Sequence, residues 1–315
     1  MRFSFLMRRI LEIIPVMLVV TVVVFTILQL TPGDPARVML GDIATEQDVE
    51  SLRQALGLDQ PLAVQYFSFL GNILRGNLGD SIALERSVLQ AIIERVEPTL
   101  LLTTMSLLIA VVVGVVAGIL SASMHNRLGD QLLSTLALVG VSIPNFWLGL
   151  VFILVFAVEL RLFPAAGYKN VSEEGLLVTL RYLVLPSIVL GLSQAAIISR
   201  ITRSTMLDVL GQDHVRTAIA KGLGRSIVIL RHVLVNAFVP ILTVIGLVLA
   251  ALLSGAVVIE TVFAIPGLGR LVISSIARRD YPVIQGIVLI TALVYVLVNL
   301  VVDLLYTVVA PRVRY

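Results

Sequence analysis

Long apolar runs separated by short polar intervals set the pattern of the chain. Six windows, at 10–30, 99–123, 132–160, 183–202, 233–258 and 283–309, hold few or no charged residues. About 20 apolar residues at 1.5 Å per residue cross a hydrocarbon layer about 30 Å thick. A charge at mid-span costs roughly 2.5–3.5 kcal/mol on insertion scales, whereas a Leu, Ile or Val gains only a fraction of that. The pattern therefore predicts an all-α integral membrane fold with six transmembrane helices. The first window follows Arg2, Arg8 and Arg9 and could be mistaken for a secretory leader, but its uncharged run at 13–30 is too long for one. The polar Thr31-Pro32-Gly33-Asp34-Pro35 stands where a cleavage site would be, so the window reads as a retained span.

The interval 31–97 has a different pattern. Ten acidic residues (Asp34, Asp42, Glu46, Asp48, Glu50, Asp59, Asp80, Glu85, Glu94 and Glu97) face five arginines, Arg37, Arg53, Arg75, Arg86 and Arg95. Thr45 and Asp48 form a capping box ahead of Val49, Leu52 and Leu56, with Gly57 placed to end the helix. A second helix is expected from Pro61, carrying Leu62, Tyr66, Phe69, Leu70 and Ile73, and a third carries Val88, Leu89, Ile92, Ile93 and Val96. The expected organisation is thus a first helix in 1–30, an outside helical segment at 31–98, a five-helix core at 99–309 and a tail at 310–315.

Composition agrees: 58% of the residues are hydrophobic and 14% charged, against about 25% charged in an ordinary soluble domain. Cysteine is absent, which removes disulfides and thiolate metal sites. A net charge of +3 makes no case for nucleic acid. Lys and Arg instead sort by side. With the N-terminus inside, twelve lie in the inner flanks and loops (Arg2, Arg8, Arg9, Arg127, Arg200, Arg203, Arg216, Lys221, Arg225, Arg231, Arg312 and Arg314). Six lie in the short outer ones (Arg161, Lys169, Arg181, Arg270, Arg278 and Arg279), so both termini are expected in the cytoplasm.

Several chemistries are missing. A phosphate-binding loop needs Gly-Lys-Ser/Thr, yet Lys169 is followed by Asn170 and Lys221 by Gly222. No nucleotide site of that kind, no catalytic residue and no cofactor is expected. His125, His214 and His232 suit no common metal spacing. Glu12, Glu159 and Asp303 lie near span ends, where snorkelling or packing accounts for them, which disfavours a self-sufficient secondary carrier. No span pairs two acids or a serine with a nearby histidine, which disfavours an intramembrane enzyme.

The interval 203–233 is too long and too regularly apolar for a simple turn. Val215, Ala218 and Ile219 are expected on one side, and the small Ala218, Ala220 and Gly222 allow close approach. On pattern alone this is either a docking knob or a plain amphipathic surface helix. The run His214-Val215-Arg216-Thr217-Ala218-Ile219-Ala220-Lys221-Gly222-Leu223 resembles the Glu-Ala-Ala loop of ATP-binding-cassette (ABC) importer permeases, in the form used by dipeptide, oligopeptide, nickel and glutathione permeases. Arg216, Thr217 and Ala218 occupy the Glu-Ala-Ala places, and Gly222 and Leu234 match, while His232 and Val235 depart from the Ile and Pro of the distal half. Thr31-Pro32-Gly33-Asp34-Pro35, Arg75-Gly76-Asn77-Leu78-Gly79-Asp80-Ser81, Glu260-Thr261-Val262-Phe263-Ala264-Ile265-Pro266-Gly267-Leu268-Gly269-Arg270 and Arg279-Asp280-Tyr281-Pro282 carry the same resemblance along the chain.

The resemblance implies a type I ABC importer permease fold with a helical periplasmic insertion after helix 1. It implies a subunit of the bacterial inner membrane that moves dipeptides or oligopeptides, or alternatively nickel chelates or glutathione, and has no enzymatic activity alone. The implied partners are a homologous second permease, two ABC ATPases, a periplasmic solute-binding protein and the lipid bilayer. ATPase coupling is implied for Val215, Arg216, Thr217, Ala218, Ile219, Ala220, Lys221 and Gly222. Pro144, Pro186 and Pro240, with Gly246 and Gly255, suit either moving spans or static kinks. Candidates for the translocation path are Ser142, Asn145, Ser193, Gln194, Asn236, Thr243 and Ser254, each of which would serve equally as an interhelical hydrogen-bonding residue.

Overall fold

The computed structural model describes residues 2–30, 36–37, 44–55, 57–81 and 83–309. The stretch 31–35, Leu56 and the tail 310–315, all part of the sequence argument, lie outside the described residues. The chain divides into two compact units, one from Met1–Val96 with Leu271–Leu297, the other from Glu97–Arg270 with Val298–Tyr315.

The first unit holds α1 (Arg2–Leu30), α2 (Glu46–Ala55), α3 (Leu62–Leu74), the two-stranded hairpin β1 (Asp80–Ser81) and β2 (Arg86–Ser87), and the start of α4 (Val88–Ser123). The capping box forms as expected: Thr45 N and Oγ1 donate to Asp48 Oδ2 at 3.1 and 2.6 Å, and Asp48 N donates back to Thr45 Oγ1 at 3.3 Å. Those bonds, the Thr45 hydroxyl first, hold the Asp48 carboxyl below its ordinary range. α3 lies on α1 through Phe25, whose ring is 5.5 Å from that of Tyr66 and 5.8 Å from that of Phe69. At the hairpin, Ser81 Oγ and Ala83 N donate to Oδ2 of Asp280, which is 1% exposed. Two motifs about 200 residues apart, at 75–81 and 279–282, thereby meet around one buried acid.

The expected third outside helix is not separate. It begins at Val88 and runs through Pro98 into the second span as α4. A proline removes one helical hydrogen bond. Here the bond removed is the one to the carbonyl of Glu94, and the helix continues past it.

The second unit contains the rest of α4, then α5 (Leu128–Ser142), α6 (Asn145–Phe152) with a π-helical turn at Ile153–Glu159, α7 (Val171–Glu174), α8 (Leu176–Leu210), α9 (Asp213–Ala220) and α10 (Arg225–Ile227). A second π-helical turn, Val228–Val233, leads into α11 (Leu234–Val262). α12 (Leu268–Ala277) begins in this unit, and α13 (Tyr281–Val309) ends in it.

Among the described residues four helices are long and apolar enough to cross a membrane: Val88–Ser123, Leu176–Leu210, Arg225–Val262 and Tyr281–Leu304. They correspond to the second, fourth, fifth and sixth expected windows, and α1 contributes a shorter apolar stretch, Leu11–Ile27. The third window, 132–160, is not one straight helix: α5 and α6 meet at 100°. Pro144 biases its predecessor away from the helical region, and Ile143 takes φ −81°, ψ 125°.

α8 is the centre of the second unit. It packs against α11, α5 and α6, and buries Leu183, Leu185, Val189, Leu190 and Ile198 with Leu252, Ile259 and Phe263. α4 reaches it through glycines: a Cβ on Gly114 would lie 2.7 Å from Ala195 O, and one on Gly118 2.5 Å from Thr202 Cβ. Gly114-x-x-x-Gly118 is the small-residue spacing that lets membrane helices pack backbone to backbone.

Buried polar groups fasten the span ends. Asp130, 3% exposed, accepts from Arg203 Nε at 2.6 Å and Nη2 at 2.7 Å, from Ser121 Oγ and from Asn126 N, joining the start of α5 to α8. At the other end Glu260, fully buried, accepts from Thr99 Oγ1 at 2.6 Å and Arg270 N at 3.0 Å. A Cβ on Gly267 would fall 2.2 Å from that carboxyl, so only glycine fits this place in the 260–270 motif. Glu97 accepts from Tyr168 OH at 2.6 Å and Val171 N at 3.1 Å. Burial, and then the Glu97 carboxylate, push the Tyr168 phenol above its ordinary range.

Gly118→Val is expected to force α4 off α8, at about 1–3 kcal/mol for overpacking. Gly71→Val, where an added Cβ meets nothing within 4 Å, is the contrast. Membrane abundance and thermal midpoint in detergent should fall for the first and change much less for the second.

Candidate coupling helix and the polar groups of the spans

The segment after α8 turns sharply and starts a new helix. Gln212 is extended (φ −79°, ψ 150°), and its carbonyl accepts from Val215 N at 3.1 Å and Arg216 N at 3.2 Å, opening α9. Val215 and Ala218 are buried among Met206 and Val209 of α8, Val228 and Val233 of the π turn, and Ala237 and Ile241 of α11. Arg216, Thr217, Ile219, Ala220 and Lys221 are exposed. Ile219 was expected beside Val215 and Ala218 but points outward, 57% exposed. It stands about 100° around the helix from Ala218, and so narrow a seam does not reach it.

The helix ends in a Schellman turn. Gly222 N donates to Ile219 O at 2.9 Å, Leu223 N to Ala218 O at 3.4 Å, and Gly222 takes φ +79°. A Cβ there would meet nothing within 4 Å, so the glycine answers to the left-handed backbone and not to crowding within the chain. The outer surface combines Ile219, Leu223 and Ile227, 57%, 38% and 46% exposed, with Arg216 and Lys221. Arg216 faces Asp213 at 3.6 Å in an exposed pair of little energetic weight. Arg225 Nη2 donates to Ser123 O, tying the loop to the end of α4.

The path candidates divide into three groups. Asn236, Thr243 and Ser254 share one exposed stripe of α11, at offsets of seven and eleven residues. Within it Asn236 Nδ2 donates to His232 O at 2.6 Å and lies 3.4 Å from His214 Nε2, so this residue stands at the α9 end of the stripe. Ser142 and Asn145 flank the bend between α5 and α6, Ser142 exposed and Asn145 half-buried. Ser193 and Gln194 are half-buried on α8; Ser193 Oγ donates to Leu190 O at 3.0 Å, and Gln194 Oε1 is buried without a hydrogen bond. Thr243 and Ser142 likewise bond back to their own helix, at 3.0 and 2.9 Å.

Sequence reasoning passed over Asp130 and Thr99 and the pairing roles of Arg203 and Glu260. The available signals were an acid in the first turn of a span and an acid at the end of one. Their partners, 73 and 161 residues away, had no sequence signal.

The chain matches two family models: residues 2–103 match the N-terminal region of the binding-protein-dependent transport system membrane component, and residues 114–315 the binding-protein-dependent transport system inner membrane component. It is 43% identical over 311 residues to a probable peptide ABC transporter permease of Sinorhizobium fredii, with 99% of both chains covered. It is 43% identical over 312 residues to a glutathione transport system permease of Escherichia coli, again over 99% of each. A dipeptide transport system permease of Alkalihalophilus pseudofirmus is 42% identical over 331 residues, 99% of each. Among solved structures, an inward-facing methionine ABC transporter chain shares the fold, with a TM-score of 0.57 at 17% identity over 70% of this chain and 97% of that one. With both family models matched in order along its length, the chain belongs to the inner membrane components of binding-protein-dependent transport systems.

Proposed function

We propose that the chain is one of two homologous permeases in an ATP-driven importer of dipeptides or oligopeptides, working with two ABC ATPases and a periplasmic solute-binding protein. The observation that carries this reading is similarity at 43% and 42% identity, across 99% of the chain, to permeases named for peptide and dipeptide transport. Glutathione, itself a small peptide, is a second reading, favoured by an equally similar permease named for it. The family takes the place of the self-sufficient carrier weighed from hydropathy. The organisation proposed is the expected one: a first span in 1–30, an outside segment at 31–98, the core at 99–309 and a tail at 310–315, with both termini cytoplasmic.

On this reading α9 is the coupling helix, with 215–222 as its docking surface. Its exposed apolar side chains and flanking cations would enter an ATPase groove. Val215 and Ala218, sealed against α8 and α11, would carry its displacement into those two helices. α11 bears the Asn236, Thr243 and Ser254 stripe, whose outward polar groups gain more against a solute path or the sister subunit than against lipid. ATP-driven approach of two such helices would then switch the paired permeases between packed states.

Topology is tested with single cysteines in this cysteine-free chain. Impermeant labelling from outside should reach position 50 or 170 but not 127 or 220, and the reverse pattern would overturn the orientation.

Coupling is tested at Gly222. A β-branched residue at φ +79° carries about 1–3 kcal/mol of backbone strain, whereas asparagine tolerates that region. Gly222→Val is expected to leave membrane abundance and pairing with the sister permease intact while weakening ATPase copurification or uncoupling hydrolysis from uptake. Gly222→Asn should be milder. Normal uptake per assembled complex in Gly222→Val would remove this turn from the coupling site.

A further inference from the structure

A cleft of about 220 Å³ opens between α5 and α8 beside the Asp130–Arg203 pair. Ser134, Leu138 and Val141 of α5 line one wall, and Ala196, Arg200 and Arg203 of α8 the other. Both sets step by four and then three residues, so each is a single helix stripe. The serine and the arginines gather at the α5 N-terminal end, while Val141 and Ala196 stand about 10 Å along the axis.

The charges at the polar end are unequal. Asp130 occupies Nε and Nη2 of Arg203. Arg200 is exposed, and no acidic side chain of the described residues pairs with it. At the other end, Leu138 and Val141 of α5, which line the cleft, are 58% and 47% exposed. The cleft therefore offers one uncompensated cation at one end and hydrocarbon-compatible walls at the other. A ligand that satisfies both ends carries a phosphate anion on an aliphatic tail. Basic pockets between spans on the cytoplasmic side are suited to such head groups.

We propose that this cleft holds one anionic phospholipid of the cytoplasmic leaflet, its phosphate on Arg200 and the free edge of Arg203, its chain along Leu138, Val141 and Ala196. The leaflet assignment rests on the proposed orientation; the charge selectivity does not.

The test uses the assembled transporter in nanodiscs with photoactivatable phosphatidylglycerol or phosphatidylcholine of equal chain length. Phosphatidylglycerol should label peptides of α5 and α8 preferentially, and Arg200→Gln should reduce that labelling about fivefold, the equivalent of one cationic contact. Leu138→Trp, which fills the apolar wall, should reduce it while leaving the Asp130–Arg203 pair in place. Inorganic phosphate at millimolar concentration should not compete, because the tail is part of the recognition. Equal labelling by the two lipids, labelling indifferent to Arg200→Gln, full displacement by inorganic phosphate, or a disulfide from position 138 to the sister permease would each overturn the proposal. Inverted cysteine topology with charge-selective labelling intact would overturn the leaflet alone and the orientation behind it.

Discussion

The close approach of α4 to α8 is the constraint on which the second unit depends. In hydrocarbon a helix gains nothing by hiding leucine from lipid, so spans associate through fitted backbone contact and buried polar bonds. Gly114 and Gly118 bring α4 within a methyl group of Ala195 and Thr202, and Gly191 lets α8 answer with Ile109 and Ser106. With α8 fixed in this way, α11, α5 and α6 pack against it, and its last turns, Met206 and Val209, form part of the seat for α9.

Charge is kept to the ends of this assembly. Asp130 and Arg203 share two hydrogen bonds at one end of α8, where taking Arg203 away would strand the buried Asp130 carboxylate at about 3–5 kcal/mol. Glu260 gathers Thr99 and the backbone of Arg270 at the far end of α11. Both acids accept several donors, the condition under which a buried carboxylate is tolerated. They fix where spans begin and end, a property that apolar side chains, being non-directional, cannot supply.

The second, fourth, fifth and sixth windows and the short helix before Gly222 were legible because each is a local pattern: a run of apolar residues, or a motif of fixed spacing. The Thr45–Asp48 capping box was legible for the same reason. What escaped was relational. Pro144 was visible, but the 100° bend it makes between α5 and α6 depends on Ile143 and Pro144 both taking extended angles. Val88, Ile92 and Val96 read as a helix of their own, yet the helix runs on through Pro98 into the second span. The 260–270 motif was recognised as a string; that Gly267 is there to admit the Glu260 carboxyl appears only when both are in place. Ser81 and Asp280 likewise belong to separate motifs whose meeting no spacing rule foretells.

The seat of α9 bears on how a push from outside the membrane could reach the spans. An eight-residue helix is too short to hold its own shape, since isolated helices of that length are marginal in water. Its stability must come from the buried Val215 and Ala218, and a helix held by two inward side chains moves with whatever holds it. Its far end is closed by the Schellman turn, which satisfies terminal carbonyls while leaving the outer surface clear of other chain segments. The arrangement thus separates two duties along one turn of chain: Val215 and Ala218 bind the helix to α8 and α11, while Ile219, Lys221 and Gly222 face outward. On the proposed reading, a load applied to the outer residues has no slack segment in which to dissipate before it reaches α11 and its polar stripe.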